Sequence, residues 1–379
     1  MQAAPAAQRL NQFLSLLSDA SRARFLGARS FVHELEAKHA QQASGGGGYT
    51  RLDADGTLAF EYLVPERVCR PDGRLQLSAI LAIVDETTSW ASVATDRHKR
   101  PGVSIALHAA LEPGRRPPRA GQRLVFKSRS ERMGRTLGFQ TCTVQDEAGG
   151  LVATARHTKL LDMGRGWALA MGPVAFPCTR FLMHAAGGFV DRPPPELSPS
   201  LGHLLAPEEA RVVATPWDVA RGGDGGNLYG FTAEAVSRHT VTPPMLNEVR
   251  ILFGGFQALL HEEAGARATV AAVDAAAEAA GGARGSGVDL GLVLTNLDVT
   301  YLASAKRHDV LEVRARASAV HGAVARAGAP SGGAGIVATS CLSRTGTRGG
   351  DAAGLGLQAG RGVLCSEARM HFALSSDVT

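Results

Sequence analysis

Residues 75–94, LQLSAILAIVDETTSWASVA, form a run without glycine or proline that is apolar almost all the way round. A helix of that composition has no broad face to offer to water, so other elements must wrap it. The flanking sequence supplies them. Residues 58–64 (LAFEYLV) read as a strand stopped by Pro65, and 103–111, 123–130, 136–146 and 151–160 read as four more strands. One strand, one buried helix, then an antiparallel meander describes a sheet curled around a central helix.

The same order returns further on. Residues 228–236 can form a strand, 252–264 an apolar helix, and 293–302, 310–319, 335–343 and 363–373 a second meander, stretched by Ala/Gly-rich insertions near 271–287 and 323–333. At 379 residues the chain exceeds a usual single core, which agrees with two domains. We expect domains at 49–163 and 227–379. Between them, 164–226 reads as a connector rich in proline and glycine, including Pro193-Pro194-Pro195. The leading residues 1–48 read as amphipathic helices, with Leu10, Phe13, Leu14, Leu17, Phe25, Phe31 and Leu35 at helical spacing, ending in the link Gly45 to Gly48.

Charge and cysteine content narrow the function. The net charge of +5 comes from arginines scattered along the chain, with no basic block of the kind that binds nucleic acid, so no nucleic-acid partner is expected. A modest basic surplus suits a small polyanion such as a nucleotide-bearing thioester. No apolar run approaches the roughly 20 residues of a membrane span. The five cysteines are odd in number and lack CxxC spacing, so neither a disulfide framework nor a zinc site is expected and a reducing compartment fits. Arg9, Arg22, Arg24 and Arg29 against the single acid Asp19 weakly match a transit peptide. The expected location is the cytoplasm or the mitochondrion, with no secretion signal evident.

Four motifs carry the chemistry: LQLSAILAIVDE (75–86), PGVS (101–104), GRTLGF (134–139) and ARHTK (155–159). In order and spacing they resemble the PaaI-like hotdog acyl-CoA thioesterases of the thioesterase superfamily, over about residues 60–161. The resemblance implies an α+β fold with two hotdog domains in tandem, paired within one chain as a pseudo-dimer. It implies hydrolysis of an acyl-CoA to free acid and CoA without a metal or redox cofactor. Self-association of two chains would give four hotdogs.

In the family so resembled, the helix opens with His-Gly-Gly, an acid follows nine residues after the His, and an Asn precedes it by six. Asp85 holds the acid position in the first half, but Gln76, Leu77 and Arg70 replace the rest of that pattern. Ser104 matches the serine that helps to hold the attacking water. Gly134, Arg135, Thr136 and Leu137, with Arg132 beside them, match the loop that contacts CoA. The second half shows the reverse: Gly254-Gly255, Glu262 and Asn247 keep the spacing, Phe253 replaces the His, and Leu294 stands where the serine should be.

Gly254 and Glu262 are separated by roughly 12 Å along a helix, too far to act on one carbonyl. Hydrolysis needs a base on the water and donors on the developing oxyanion around a single carbon. The resemblance therefore implies one composite site: Asp85 and Ser104 from the first half, Asn247 and Gly254 from the second. The mirror set of Arg70, Gln76, Leu77, Glu262 and Leu294 is expected to be inactive. Other readings stay open at this point. Gly254-Gly255 can serve only close packing, GRTL can be an ordinary hairpin turn, RHTK an exposed edge strand and His261 a packed histidine. A catalytically silent scaffold that binds acyl-CoA is the rival function.

Overall fold

The structure, a computed structural model, describes residues 6, 8–10, 50–53, 55–171, 178, 201–218, 229–246, 251–279, 292–320, 335–347 and 363–374. Most of the leading helical segment, including its Gly45 to Gly48 link, lies outside them, as does Asn247. The chain divides into two compact units: Met1–Leu204 with Thr242–Phe256, and Leu205–Val241 with Gln257–Thr379.

In the first unit the strands are β1 (Thr50–Leu52), β2 (Leu58–Leu63), β3 (Val103–Leu111), β4 (Arg123–Met133), β5 (Leu137–Asp146) and β6 (Leu151–Leu160), in the order β1-β2-β4-β5-β6-β3 with antiparallel neighbours. Helix α1 (Leu77–Thr95) packs on one face of this sheet, touching β2 through β6, and nearly all of its residues are buried. The alternation of the strands explains the fit. Leu124, Phe126 and Ser128 on β4, and Ala153, Ala155, His157 and Lys159 on β6, turn inward while their neighbours turn out. Phe60, Tyr62, Trp90 and Phe126 make the aromatic part of the core, with Trp90 edge-on to Phe60 at 5.9 Å between ring centres.

The second unit contains β7 (Glu209–Asp218), β8 (Tyr229–Thr240), β9 (Leu292–Tyr301), β10 (Asp309–Val320), β11 (Gly335–Thr347) and β12 (Val363–Leu374). Its order, β7-β8-β10-β11-β12-β9, repeats that of the first unit strand for strand. The core helix is α2 (Gly254–Ala279). Both units are therefore antiparallel sheets with one long helix each, the hotdog arrangement of an α+β protein.

Two differences from the sequence reading have plain causes. The stretch 164–226, read as a connector, contains β7, the counterpart of β1. Val212 and Val213 are exposed and Pro216 sits in the strand, so β7 is an edge without the inward apolar face that marks a strand in sequence. Helix α2 runs beyond 264 through residues read as an insertion. Alanine is the strongest helix former, and Ala268, Thr269, Ala272, Val273 and Ala276 fall on one buried stripe.

Buried histidines make the second unit sensitive to acid. His261 on α2 is fully buried between the hydroxyls of Ser340 (2.5 Å to Nδ1) and Ser366 (2.9 Å to Nε2), and burial pushes its pKa down to about 3. Burial, seconded by Arg267, pushes His239 down to about 4. Both rings are neutral in the fold, whereas the unfolded chain takes up their protons below about pH 6.5. The unfolded state then binds more protons, so stability falls as pH drops from 6.5 toward those folded values. Urea unfolding of the full chain should show each histidine lowering stability by about 2 kcal/mol between pH 7 and pH 5. In His261→Gln the acid loss of the full chain should shrink by about a third, since the buried His157 of the first unit is lowered likewise, and an unchanged loss would contradict this account.

Candidate active site

Asp85 projects from the middle of α1 and is 4% exposed. Three polar side chains from β3 and β6 converge on it. Ser104 Oγ donates to Asp85 Oδ1 at 2.8 Å. His157 Nε2 lies 3.0 Å from Ser104 Oγ and 3.6 Å from Asp85 Oδ1. Lys159 Nζ lies 3.8 Å from Asp85 Oδ1 and donates to Ser89 Oγ at 2.7 Å.

The backbone makes this convergence possible. Strict alternation along β3, counted back from the buried Leu111, Ala109 and Leu107, would turn Ser104 outward. A bulge between Ser104 and Ala106 inserts Ile105 as an extra residue and puts Ser104 on the inner face, opposite Lys159. Gly102, at φ +68°, lets the chain enter β3 against Lys159 and Leu160, where a Cβ would meet the Leu160 carbonyl oxygen. The PGVS motif is thus the approach and the bulge that aim the serine.

Proton placement follows from the contacts. Ser104 has one hydroxyl hydrogen; when the carboxylate receives it, His157 must carry its proton on Nε2 and donate to Ser104 Oγ. Its Nδ1 faces the Thr88 hydroxyl at 2.7 Å. The ring is neutral, since burial, aided by the Lys159 charge, holds its pKa well below the usual histidine value. Burial also lowers Lys159 to about 8, against the opposing pull of Asp85. The cluster is a buried carboxylate with a hydroxyl, an imidazole and an ammonium around one edge. Such a group can accept a proton from water held beside it.

The glycine pair that opens α2 falls in the same compact unit as Asp85. Gly255 lies so close to α1 that a Cβ would collide with Ala82 and with the ring of Phe253. Ala82 stands one helical turn before Asp85. Gly254 is the first residue of α2 and is half-buried. Arg132, Arg135, Thr136 and Leu137 are exposed around the turn between β4 and β5, which Gly134 N closes by donating to Leu137 O at 2.8 Å. GRTL is thus a hairpin turn as well as the segment expected to meet CoA.

His157 and Lys159 were quoted within a motif but given no role. RHTK is no edge strand: β6 lies between β5 and β3, and both side chains are buried. Their signal was available in the period-two spacing after Ala153 and Ala155. What the sequence could not supply was the knowledge that β6 is central.

The second unit shows what the same positions become without chemistry. Leu294 pairs with Phe372 where Ser104 pairs with Lys159, Leu297 pairs with Met370 where Leu107 pairs with His157, and the bulge recurs. Serine, histidine and lysine are replaced by Leu294, Met370 and Phe372, all buried. Gly265 stands three residues after Glu262, as Thr88 stands three after Asp85, and a Cβ there would run into the Met370 thioether. The smaller helix residue makes room for the larger strand residue. His261 is a packed histidine, as one of the sequence readings had it.

Residues 18–161 match the family model described as acyl-CoA thioesterase C-terminal domain. That match lies within the first unit, whose strand order the second unit repeats. Among solved structures, the chain is similar to a putative oleoyl thioesterase from Lactobacillus plantarum (11% identity, TM-score 0.45, covering 86% of this chain and 99% of that one). It is also similar to thioesterase superfamily member 2 of zebra fish (24%, TM-score 0.28, 33% and 94%) and of Mus musculus (27%, TM-score 0.26, 30% and 87%). The search of curated proteins finds no match. No described helix is long and apolar enough to cross a membrane.

Proposed function

We propose that the protein hydrolyses acyl-CoA thioesters at one composite site, with Asp85 as general base. The observation that carries this reading is the buried Asp85 carboxylate receiving the Ser104 hydroxyl, with His157 behind it. Asp85 takes a proton from water while the water oxygen bonds to the thioester carbon. Ser104 holds that water, and His157 positions Ser104. The carbonyl oxygen, becoming negative, is met by the amide at Gly254, where the start of α2 favours negative charge, and by the Asn247 side chain. The intermediate then collapses, the C–S bond breaks, and the CoA thiolate leaves and regains the proton from Asp85. No metal or redox cofactor enters this sequence. Two hotdogs forming a pseudo-dimer would bring the two contributions together.

Incubating the purified chain with short, medium, long and aromatic acyl-CoAs and a thiol reagent tests the reading. Release of CoA from at least one class is expected, and none from any class would favour the scaffold. The replacement of the family histidine by the buried Phe253 is what supports that second reading. Light scattering tests the further step to a homodimer of four hotdogs. The cytoplasm or mitochondrion, both reducing and both supplied with CoA thioesters, suits a chain whose five cysteines are free thiols.

A further inference from the structure

Arg100 lies just past the end of α1, outside the cluster around Asp85, and every N–H of its guanidinium has an acceptor. Nε and Nη2 form a two-pronged pair with the buried Asp96 carboxylate at 2.8 and 3.0 Å. Nη2 also donates to Gly134 O at 3.2 Å, and Nη1 to Arg135 O at 2.8 Å and Leu161 O at 3.5 Å. The third carbonyl of the turn, Thr136 O, accepts from Leu161 N at 2.6 Å. A planar trans peptide directs its N–H opposite to its C=O. Drawing in the Gly134 and Arg135 carbonyls therefore turns the Arg135 and Thr136 N–H groups outward. Among the described residues neither donates to a protein acceptor, and both residues are exposed. Consecutive outward amides make an anion-binding concavity, here with the exposed Arg132 and Arg135 beside it.

We propose that Arg100 is a positioning residue for CoA recognition, holding the 134–136 turn so that its amides and flanking arginines receive a phosphate of the CoA nucleotide. This rests on the acyl-CoA reading above. Asp96 neutralises Arg100, so Arg100 acts through the turn rather than as a phosphate ligand. Its selectivity is for the nucleotide half of the substrate and not the acyl half.

The test compares Arg100→Ala and Arg100→Lys with the unaltered chain on an acyl-CoA and on the matching acyl-pantetheine, which lacks the nucleotide. Calorimetry with free CoA runs alongside. Both variants should raise KM for acyl-CoA and Kd for CoA by about tenfold to a hundredfold, the loss of charge-assisted hydrogen bonds, and leave kcat within about twofold. Kinetics on acyl-pantetheine should not change. Lysine keeps the charge opposite Asp96 but has three donors on one nitrogen and cannot span two carbonyls. It should fail to rescue, whereas a role confined to pairing with Asp96 would be rescued. Unchanged CoA affinity in both variants overturns the inference and leaves the hydrolase reading standing. If the unaltered chain neither hydrolyses acyl-CoA nor binds CoA, both fall. Binding without turnover overturns the hydrolase reading alone, and the ratio of CoA Kd values still decides the role of Arg100.

Discussion

Asp85→Asn is expected to lower kcat for acyl-CoA hydrolysis by about 10²–10⁴-fold, the usual contribution of a positioned general base. Asparagine keeps the size of the side chain and an oxygen to accept from Ser104 but takes the counter-charge from Lys159, so turnover is compared in protein shown to be folded, where only the capacity to take a proton is lost. Asn247→Ala and Gly254→Val should each cost on the order of a hundredfold or more, as removal or obstruction of an oxyanion donor does. Gly254→Val must be judged against its stability, because it alters a helix start beside the crowded Gly255. Glu262→Gln and Gln76→Ala should leave turnover nearly unchanged. Glu262 is as buried as Asp85 but belongs to the unit whose strands carry Leu294, Met370 and Phe372 in place of serine, histidine and lysine. If Glu262→Gln silences the enzyme while Asp85→Asn does not, the site has been assigned to the wrong unit.

That contrast between the units also separates what the sequence discloses from what it does not. The helix at 77–95 and the strands after it were legible because their hydropathy follows the periods of helix and strand over long runs. Ser104 and Asp85 were legible through spacing, and their 2.8 Å bond accords with it. The bulge at Ile105 was not: it depends on the register of β3 against β6, a property of pairing rather than of either strand. His157 and Lys159 were hidden for a related reason. A polar pair at alternate positions is normal on a solvent face, and only the closure of β3 over β6 turns that face inward. β7 lacks an inward apolar face, so periodicity had nothing to detect. The interruption of β4 to β5 at 134–136 read as a turn, while the guanidinium that captures its carbonyls comes from a residue over thirty positions earlier.

Lys159→Met is expected to destabilise the first unit by less than the roughly 3–5 kcal/mol usual for breaking a buried charge pair, because it leaves Asp85 without its partner but also removes an ammonium whose burial the fold disfavours. Lys159 is 2% exposed, and its ammonium lies 3.8 Å from Asp85 Oδ1. Methionine matches the length of the lysine stem, so little of the loss comes from packing. The double variant Asp85→Leu with Lys159→Met should recover much of the stability while remaining inactive, since exchanging a buried pair for apolar groups is often neutral. The pH dependence gives an independent sign. Burial holds Lys159 at about 8 in the fold against 10.5 unfolded. Between those values the native state has released its proton while the unfolded chain still holds one. The unfolded state binds more protons there, so the lysine's contribution to stability rises with pH through that window, by on the order of 3 kcal/mol. Denaturant unfolding at pH 7.5 and pH 10 should show the unaltered chain gaining on Lys159→Met by about 2 kcal/mol over that interval, while the buried Cys142 thiol, pushed up to about 12, draws both down alike. A change of equal size in both would mean that Lys159 is not the group titrating and that its burial does not set the charge balance around Asp85.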